Sequence, residues 1–240
     1  MRRPDRAVYS SQPHLDSLMS LVKIAYLGLL DGDQASGDAR GESHLTQLAE
    51  SVSVAWRGEC EIELISCGPQ PRVERLREHV VRRVLPLSGN PLTPWDACSW
   101  QLPAALADAD IVHLHDYHSR TCELALLIAK QQRKFLCLTD YGVTANWLAT
   151  ELELHCLADA VICHAAVAAR KLSGLANVEF LPAEISLEWF GVPAEWPSPC
   201  FIPSTRPRDR GAPPVDYASL GERLKEIYVR AAARMLEAVA

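Results

Sequence analysis

Short runs of Val, Ile, Leu and Cys alternate along this chain with stretches whose apolar residues recur every three or four positions. No other property restricts the fold as much. The first run, Leu21 to Gly28, is apolar and partly β-branched, and it leads into a segment rich in Gly, Asp and Ser from Asp31 to Gly41. A helix is expected over Ser43 to Trp56, where Leu45, Leu48, Ala49 and Val52 share one face, with Gly58 ending it. Strands are expected near 22–28, 61–66, 80–85, 110–115, 135–139, 160–163 and 178–181. Between them, helices are expected over Trp100 to Ala109, Ser119 to Gln132, Asn146 to Ala158 and Ala165 to Leu172. Repeated strand–helix units cannot pair as hairpins. They predict an α/β fold: a Rossmann-like, doubly wound parallel sheet covered on both faces.

The flanks differ from this core. Residues 1–20 mix Pro, Ser, Gln and charges without periodicity and read as a loose leader. The α/β domain spans 21–190. Residues 191–214 hold seven prolines and the run Arg206-Pro207-Arg208-Asp209-Arg210, the composition of a linker. In the last segment, 215–240, Leu220, Leu224, Ile227, Tyr228 and Ala231 mark one stripe of a helix, which must pack on the α/β domain to be covered.

Composition narrows the function classes. Of 240 residues, 48% are hydrophobic and 22% charged, as in ordinary globular proteins, and the formal net charge of −6 offers no field to collect phosphates. Nucleic acid is therefore not an expected partner. The eight cysteines form no C-x-x-C pair and sit in apolar segments, so they read as buried thiols of a reducing compartment. No run approaches the ~18 apolar residues of a membrane span, and no apolar core follows Arg2-Arg3 as in a signal peptide. A cytoplasmic protein is expected, with peripheral attachment to a membrane left open.

In an open parallel sheet ligands bind beyond the carboxyl ends of the strands, so the residues just after each strand are the informative ones. Gly32, Gly37 and Gly41 precede a helix start that can hold a phosphate or carboxylate, although they form no G-x-G-x-x-G or P-loop pattern. A flexible turn is the plain alternative. His113-Leu114-His115-Asp116-Tyr117-His118 is the densest polar cluster, and three imidazoles with one carboxylate can converge on a metal. Histidines that hydrogen-bond at a strand end are the favoured reading; a metallohydrolase is the least favoured function, and neither metal nor cofactor is expected. Asp140, in Thr139-Asp140-Tyr141-Gly142, ends another strand and has a capping role as its alternative. Cys163 and His164 are adjacent, so their side chains point to opposite faces and form no catalytic dyad.

An ordered series of motifs from Val22 to Phe190 resembles the N-terminal, acceptor-binding domain of GT-B glycosyltransferases of the family 4 type. It comprises the helix His44-Leu45-Thr46-Gln47-Leu48-Ala49 after a Gly-containing loop, and the strand Ala109-Asp110-Ile111-Val112-His113-Leu114-His115. Leu138-Thr139-Asp140-Tyr141-Gly142, Ala158-Asp159-Ala160-Val161-Ile162 and Asn177-Val178-Glu179-Phe180-Leu181-Pro182 follow. The resemblance covers about three quarters of the chain. It implies transfer of a sugar from a nucleotide-sugar to a hydroxyl acceptor without a metal. His115 and Asp140 would face the acceptor hydroxyl, with Gly32, Arg40, Gly41 and Gly142 lining the acceptor and phosphate side.

Departures from the family pattern bear on activity. Ala183-Glu184-Ile185-Ser186 stands where the family has Asn-Gly-Val-Asp, and Tyr141 replaces a histidine. The donor-binding domain is expected between Phe190 and Tyr217, and the proline-rich segment stands there instead, followed by a stretch similar to the family's returning C-terminal helix. Glu42 and Glu50 have the eight-residue spacing of the donor-site glutamates but fall in the first loop and helix, where they read as a solvated face. The expectation is thus a hexosyltransferase-type acceptor half, inactive or weak alone, with a carbohydrate or lipid-linked acceptor and a separate nucleotide-sugar-binding chain as partners. The alternative is a non-catalytic carbohydrate-binding or partner-docking domain.

Overall fold

The computed structural model describes residues 21–28, 44–91, 96–115, 119–140, 154–164, 170, 172–175, 177–181 and 215–239. Their elements, in chain order, are β1 (Val22–Leu27), α1 (His44–Ala55), β2 (Cys60–Gly68), β3 (Arg72–Arg77), β4 (Val80–Pro86), α2 (Leu102–Ala105) and β5 (Ile111–His115). After these come α3 (Arg120–Gln131), β6 (Phe135–Asp140), a single 3₁₀ turn (Leu154–Leu157), β7 (Ala160–Cys163), β8 (Val178–Phe180) and α4 (Tyr217–Val239). The leader, residues 29–43, the helix starts expected near Asn146 and Ala165, and the proline-rich segment lie outside the described residues.

The strands form one sheet of order β3-β4-β2-β1-β5-β6-β7-β8. Every pairing is parallel except β3 with β4. The fold is a mostly parallel, Rossmann-like α/β sheet, as the alternation predicts. β3 is the strand the periodicity does not reveal: Arg72, Glu74, Arg75 and Arg77 leave only Val73 and Leu76 apolar, and no two-residue alternation survives. Its charges suit an edge strand, where they discourage pairing with another chain.

Parallel strands buried on both faces need apolar side chains in both directions, and β1, β5 and β6 supply them. On one face Ile24, Tyr26, Ile62, Leu64, Ile111, Phe135 and Cys137 pack beneath Leu45, Leu48 and Val52 of α1 and Leu220, Leu224, Ile227 and Tyr228 of α4. On the other face Ala25, Leu27, Val112, Leu114, Leu136 and Leu138 meet Leu102 and Leu106 beside α2 and Cys122, Ala125, Leu126 and Ala129 of α3. Each large apolar side chain sealed in this way contributes roughly 1.5–3 kcal/mol.

Local chemistry sets the helix ends. Arg57 and Gly58 both adopt positive φ after α1, with the Gly58 amide donating to Ser53 O at 3.2 Å and the Arg57 amide to Val54 O at 2.9 Å, a Schellman close. Ser119 caps α3, its Oγ accepting the Cys122 amide at 3.3 Å. The helix expected from Trp100 to Ala109 is only Leu102–Ala105. Pro103 starts it, and the chain turns at Leu106 to reach Asp110, whose amide donates to Lys23 O at 2.8 Å. α4 docks closely on α1: a Cβ on Gly221 would lie 2.7 Å from the carbonyl carbon and oxygen of Ser51. Lys225 Nζ donates to Ala55 O at 2.6 Å and so satisfies a carbonyl at the end of α1.

Candidate functional site

From β1 the chain proceeds through β2 and β4 on one side and through β5 to β8 on the other, so the direction of winding reverses between β1 and β5. At such a reversal the loops leaving the two strands diverge and open a crevice at their carboxyl ends. Gly28 follows β1 directly at this point. A Cβ there would lie 2.8 Å from the His115 carbonyl oxygen and 3.1 Å from Leu45 Cδ1, so only glycine lets the two strand ends approach so closely.

His115 ends β5 and stands in register with Thr139 of β6. Two-residue alternation puts His113, His115 and Thr139 on the α1 and α4 face, and turns Asp140 toward the other. His115 and Asp140 are thus brought to the same edge on adjacent strands, one residue apart in register and on opposite faces. Asp140 is half-buried and pairs with Cys163 of β7. His115 is wholly buried. Gly32, Arg40, Gly41 and Gly142, together with Asp116 and His118, lie outside the described residues.

The face beneath this edge is polar to a degree that sequence reading does not anticipate. His113 Nδ1 lies 2.5 Å from Tyr228 Oη, and its Nε2 lies 2.6 Å from Thr139 Oγ1. The Tyr228 hydroxyl also shares a 2.9 Å hydrogen bond with that of Tyr26. His115 stacks against His113 with ring centroids 3.9 Å apart, and Tyr26 leans on it at 4.6 Å. His44, the first residue of α1, meets the Tyr217 hydroxyl through Nδ1 at 2.9 Å. His164 donates from Nδ1 to Leu181 O at 2.7 Å.

Burial governs the protonation of this group. It pushes His113 and His44 down to about 3, and the neighbouring His164 adds to the effect on both. His115 is held well below 6.5, by burial first and then by His113, His44 and His164. These rings are therefore neutral at pH 7, and His115 is a weak base in a dry setting. Both ring nitrogens of His113 already have hydrogen-bonding partners, which fits the reading of strand-end histidines over that of metal ligands. Among the described residues no cluster of three or more His, Cys, Asp or Glu is arranged to hold a metal ion. Cys163 is buried, its thiol pushed up to about 12 chiefly by desolvation, and His164 is turned to Leu181, so the two make no dyad.

A groove of about 210 Å³ lies elsewhere, at the amino ends of the strands over Lys23, Glu61, Glu63, Val81 and Arg83. The connection from β2 to β4 runs through strand β3 where a crossover helix would ordinarily cover the sheet, and charged residues occupy this face. Arg83 Nε pairs with Glu63 Oε1 at 2.6 Å across it. The groove is at the opposite end of the sheet from His115 and Asp140.

Gly28, Tyr26, Tyr228, His44 and His164 meet here in roles that sequence reading does not assign them: there Tyr228 is only one residue of a helical stripe, His44 the head of a motif helix and His164 the neighbour of Cys163. Only Gly28 carries a local signal, as the glycine closing the first strand. The others become visible when α1, α4 and the central strands are brought together.

Fold and site together define a doubly wound α/β protein whose reversal point is floored by neutral histidines and tyrosines. No family model and no curated protein matches the chain. Among solved structures it is similar to a sucrose-phosphate synthase from Thermosynechococcus elongatus, with 14% identity, coverage of 87% of this chain and 98% of that one, and a TM-score of 0.49. Among the described residues no helix is long and apolar enough to cross a membrane.

Proposed function

We propose that this chain is the acceptor-binding half of a GT-B glycosyltransferase of the family 4 type, acting with a donor-binding partner. The observation that carries the reading is the reversal of winding between β1 and β5, where the motif strand ending in His115 meets Gly28 at the edge that also bears Asp140. Around it stand the ordered motifs quoted above, and α4 folds back onto the domain as the family's C-terminal helix does. In this reading 21–190 is the acceptor domain, 191–214 a linker and 215–240 the returning helix.

The acceptor, a carbohydrate or lipid-linked sugar, lies across the carboxyl edge with a hydroxyl toward Asp140, while His115, wholly buried on the opposite face, supports that edge from beneath. The carboxylate of Asp140, half-buried at the strand end, orients that hydroxyl and takes its proton; neutral His115 is confined to a hydrogen-bonding role by its low basicity. Gly32, Arg40, Gly41 and Gly142 take the acceptor and phosphate side. The nucleotide-sugar comes on a separate chain, because transfer requires donor and acceptor held together in near-attack geometry. No metal or organic cofactor is invoked. Four buried free thiols, Cys60, Cys122, Cys137 and Cys163, accord with work in a reducing cytoplasm.

A second reading, a carbohydrate-binding or partner-docking domain without catalysis, is favoured by the complete burial of His115. Saturation-transfer NMR with a panel of simple glycosides, followed by transfer assays with nucleotide-sugars, separates the two. Glycoside binding that Asp140→Asn weakens by about tenfold supports an acceptor site. Binding with no transfer, even when a donor-binding chain is added, supports the second reading. Binding that responds to Arg83→Ala and not to Asp140→Asn overturns the acceptor site, and the absence of any binding overturns both the acceptor site and the carbohydrate-binding form of the second reading. Vigorous transfer by the purified chain alone overturns the split arrangement.

A further inference from the structure

The polar cluster under the carboxyl edge joins one terminal element to the centre of the sheet, and it does so through histidines. α4 reaches the domain by two tyrosine–histidine contacts about three helical turns apart: Tyr217 with His44 of α1, and Tyr228 with His113 of β5. Leu220, Leu224 and Ile227 between them complete an apolar seam on α1 and the sheet. Among the described side chains of α4 none belongs to the core on the other face, where α2 and α3 pack. Detaching α4 therefore opens one layer and leaves the other intact, which is the condition for a sub-global opening distinct from complete unfolding.

We propose that α4 is a proton-released clamp, docked while His44 and His113 are neutral and set free as those two side chains take up protons. The inference concerns the docking of α4 and does not depend on the glycosyltransferase reading.

The groups facing the two histidines make the docked state a poor host for positive charge. Around His113 these are Tyr26 of β1, His115 on its own strand, Cys137 and Thr139 of β6, Tyr228 of α4, and His164 after β7. Cys60 of β2 lies close to Tyr26 from the same side. Around His44 they are Tyr217, His164 and His115. Asp140 stands at the end of β6, and its main-chain oxygen accepts the His164 amide at 3.2 Å. Each tyrosine can donate to a neutral imidazole. A protonated ring can only donate, so it reverses the hydrogen bond and places a cation among other imidazoles in a dry core.

Undocking returns both rings to water and to their ordinary pKa near 6.5. A released state that binds more protons is favoured as pH falls, by up to tenfold per pH unit for each histidine below that value. From about pH 7.5 to about pH 5.5 the opening constant of α4 then rises about 10-fold if one histidine is freed and about 100-fold if both are.

Hydrogen–deuterium exchange of the full chain tests this, with rates corrected for the intrinsic effect of pH and two peptides compared, one from α4 around residues 217–228 and one from β5 around residues 111–115. The expected result is an α4 opening constant larger than that of β5 at about pH 7.5, growing at least about tenfold by about pH 5.5. Equal opening constants for the two peptides at both pH values, or a rise in α4 smaller than about tenfold, overturn the proposal. His44→Gln retains a hydrogen-bonding group for Tyr217 and removes one titrating ring, so it should lower a 100-fold rise to about tenfold. An unchanged rise in that variant removes His44 from the clamp. Should the variant fail to fold, the two wild-type peptides decide the matter by themselves.

Discussion

Replacing Gly221 by alanine sets two effects of opposite sign against each other, so the sign of the outcome reports how α4 lies on α1. Gly221 is in the interior of a helix, where alanine is favoured over glycine by roughly 0.5–1 kcal/mol. On a helix that merely rests on the domain, the substitution would stabilise the protein by that amount. The new Cβ would, however, lie 2.7 Å from the main-chain carbon and oxygen of Ser51 and 3.0 Å from its Cβ. Carbon contacts relax near 3.5–4.0 Å, so α4 must retreat by about 1 Å or α1 must yield. Ser51 presents backbone here, fixed within α1, and cannot rotate aside. A gap of that size forfeits a quarter to a half of the dispersion attraction along the seam of Leu220, Leu224 and Ile227. It also stretches the 2.6 Å bond from Lys225 to Ala55 O and the 2.5 Å contact of Tyr228 with His113. Overpacking of this kind costs about 1–3 kcal/mol, and a contact with fixed backbone belongs at its upper end, about 2–3 kcal/mol, which leaves a net loss of about 1–2.5 kcal/mol after the propensity gain.

Calorimetry and urea denaturation measure it. For a chain of this length the loss corresponds to a fall in Tm of roughly 2–10 °C. Glu222→Gly, at the exposed neighbouring position, sets the propensity scale in the same helix and should cost about 0.5–1 kcal/mol. A Gly221→Ala protein with a raised Tm would refute the reasoning, because it would mean that α4 does not approach Ser51 at backbone distance.

Other expectations follow from the same contacts. Tyr228→Phe removes the hydroxyl shared by Tyr26 and His113 and should cost about 1–3 kcal/mol in urea denaturation, whereas adding Tyr26→Phe should cost less than the sum of the singles, since both mutations remove one bond. A full-cost, additive double mutant would speak against a connected network. Stability should fall as pH drops from about 6.5 toward 3, because His113 and His44 sit at about 3 when folded and near 6.5 unfolded, so the unfolded chain binds more protons through that window. The full contribution of His113 is on the order of 5 kcal/mol, and a urea midpoint that stays constant from pH 7 to pH 4.5 would contradict it. Ser119→Ala should cost about 1 kcal/mol by removing the cap of α3, as read from the same denaturation curves, and a change below about 0.3 kcal/mol would show the cap to be idle.

Much of this architecture is legible in the chain itself, and what is hidden has physical reasons. The strands β1 and β5 to β7 are announced by apolar runs, because strands sealed on both faces must be apolar in both directions, whereas β2 and β4 are announced by apolar residues interleaved with charges that face solvent. β3 is silent: an edge strand needs no apolar pair, and four of its six residues carry charge. The helix at Pro103 is overestimated because the proline predicts its start and nothing local predicts that Asp110 pulls the chain back to Lys23 so soon. His115 and Asp140 are readable as edge residues since each ends its strand, but the strand order that makes them neighbours depends on packing. So does their separation onto opposite faces, which follows from a register in which His115 pairs with Thr139. The partners of His113 lie farther away still in sequence: Tyr228 is 115 residues distant, and no pattern within β5 or α4 announces the contact.

The two ends of the sheet differ in kind, and the difference bears on where an uncharged acceptor would bind. At the amino ends Glu61, Glu63 and Arg83 keep a solvated face, and the Glu63–Arg83 pair there is exposed enough to contribute at most about 1 kcal/mol. Charged groups so well hydrated give little selectivity for a neutral hydroxyl. At the carboxyl ends burial has stripped charge from four histidines, and Gly28 draws the ends of β1 and β5 together above them. Hydrogen bonds to neutral groups are stronger in such dry surroundings, and each unsatisfied one costs more. The half-buried carboxylate of Asp140 is then the charged group at the end of β6, placed one residue beyond the buried Thr139 that holds His113. In the proposed function, an acceptor sugar at Asp140 would lie on the face opposite His113 and Tyr228, so α4 bears on it only through the backbone of β6 between Thr139 and Asp140.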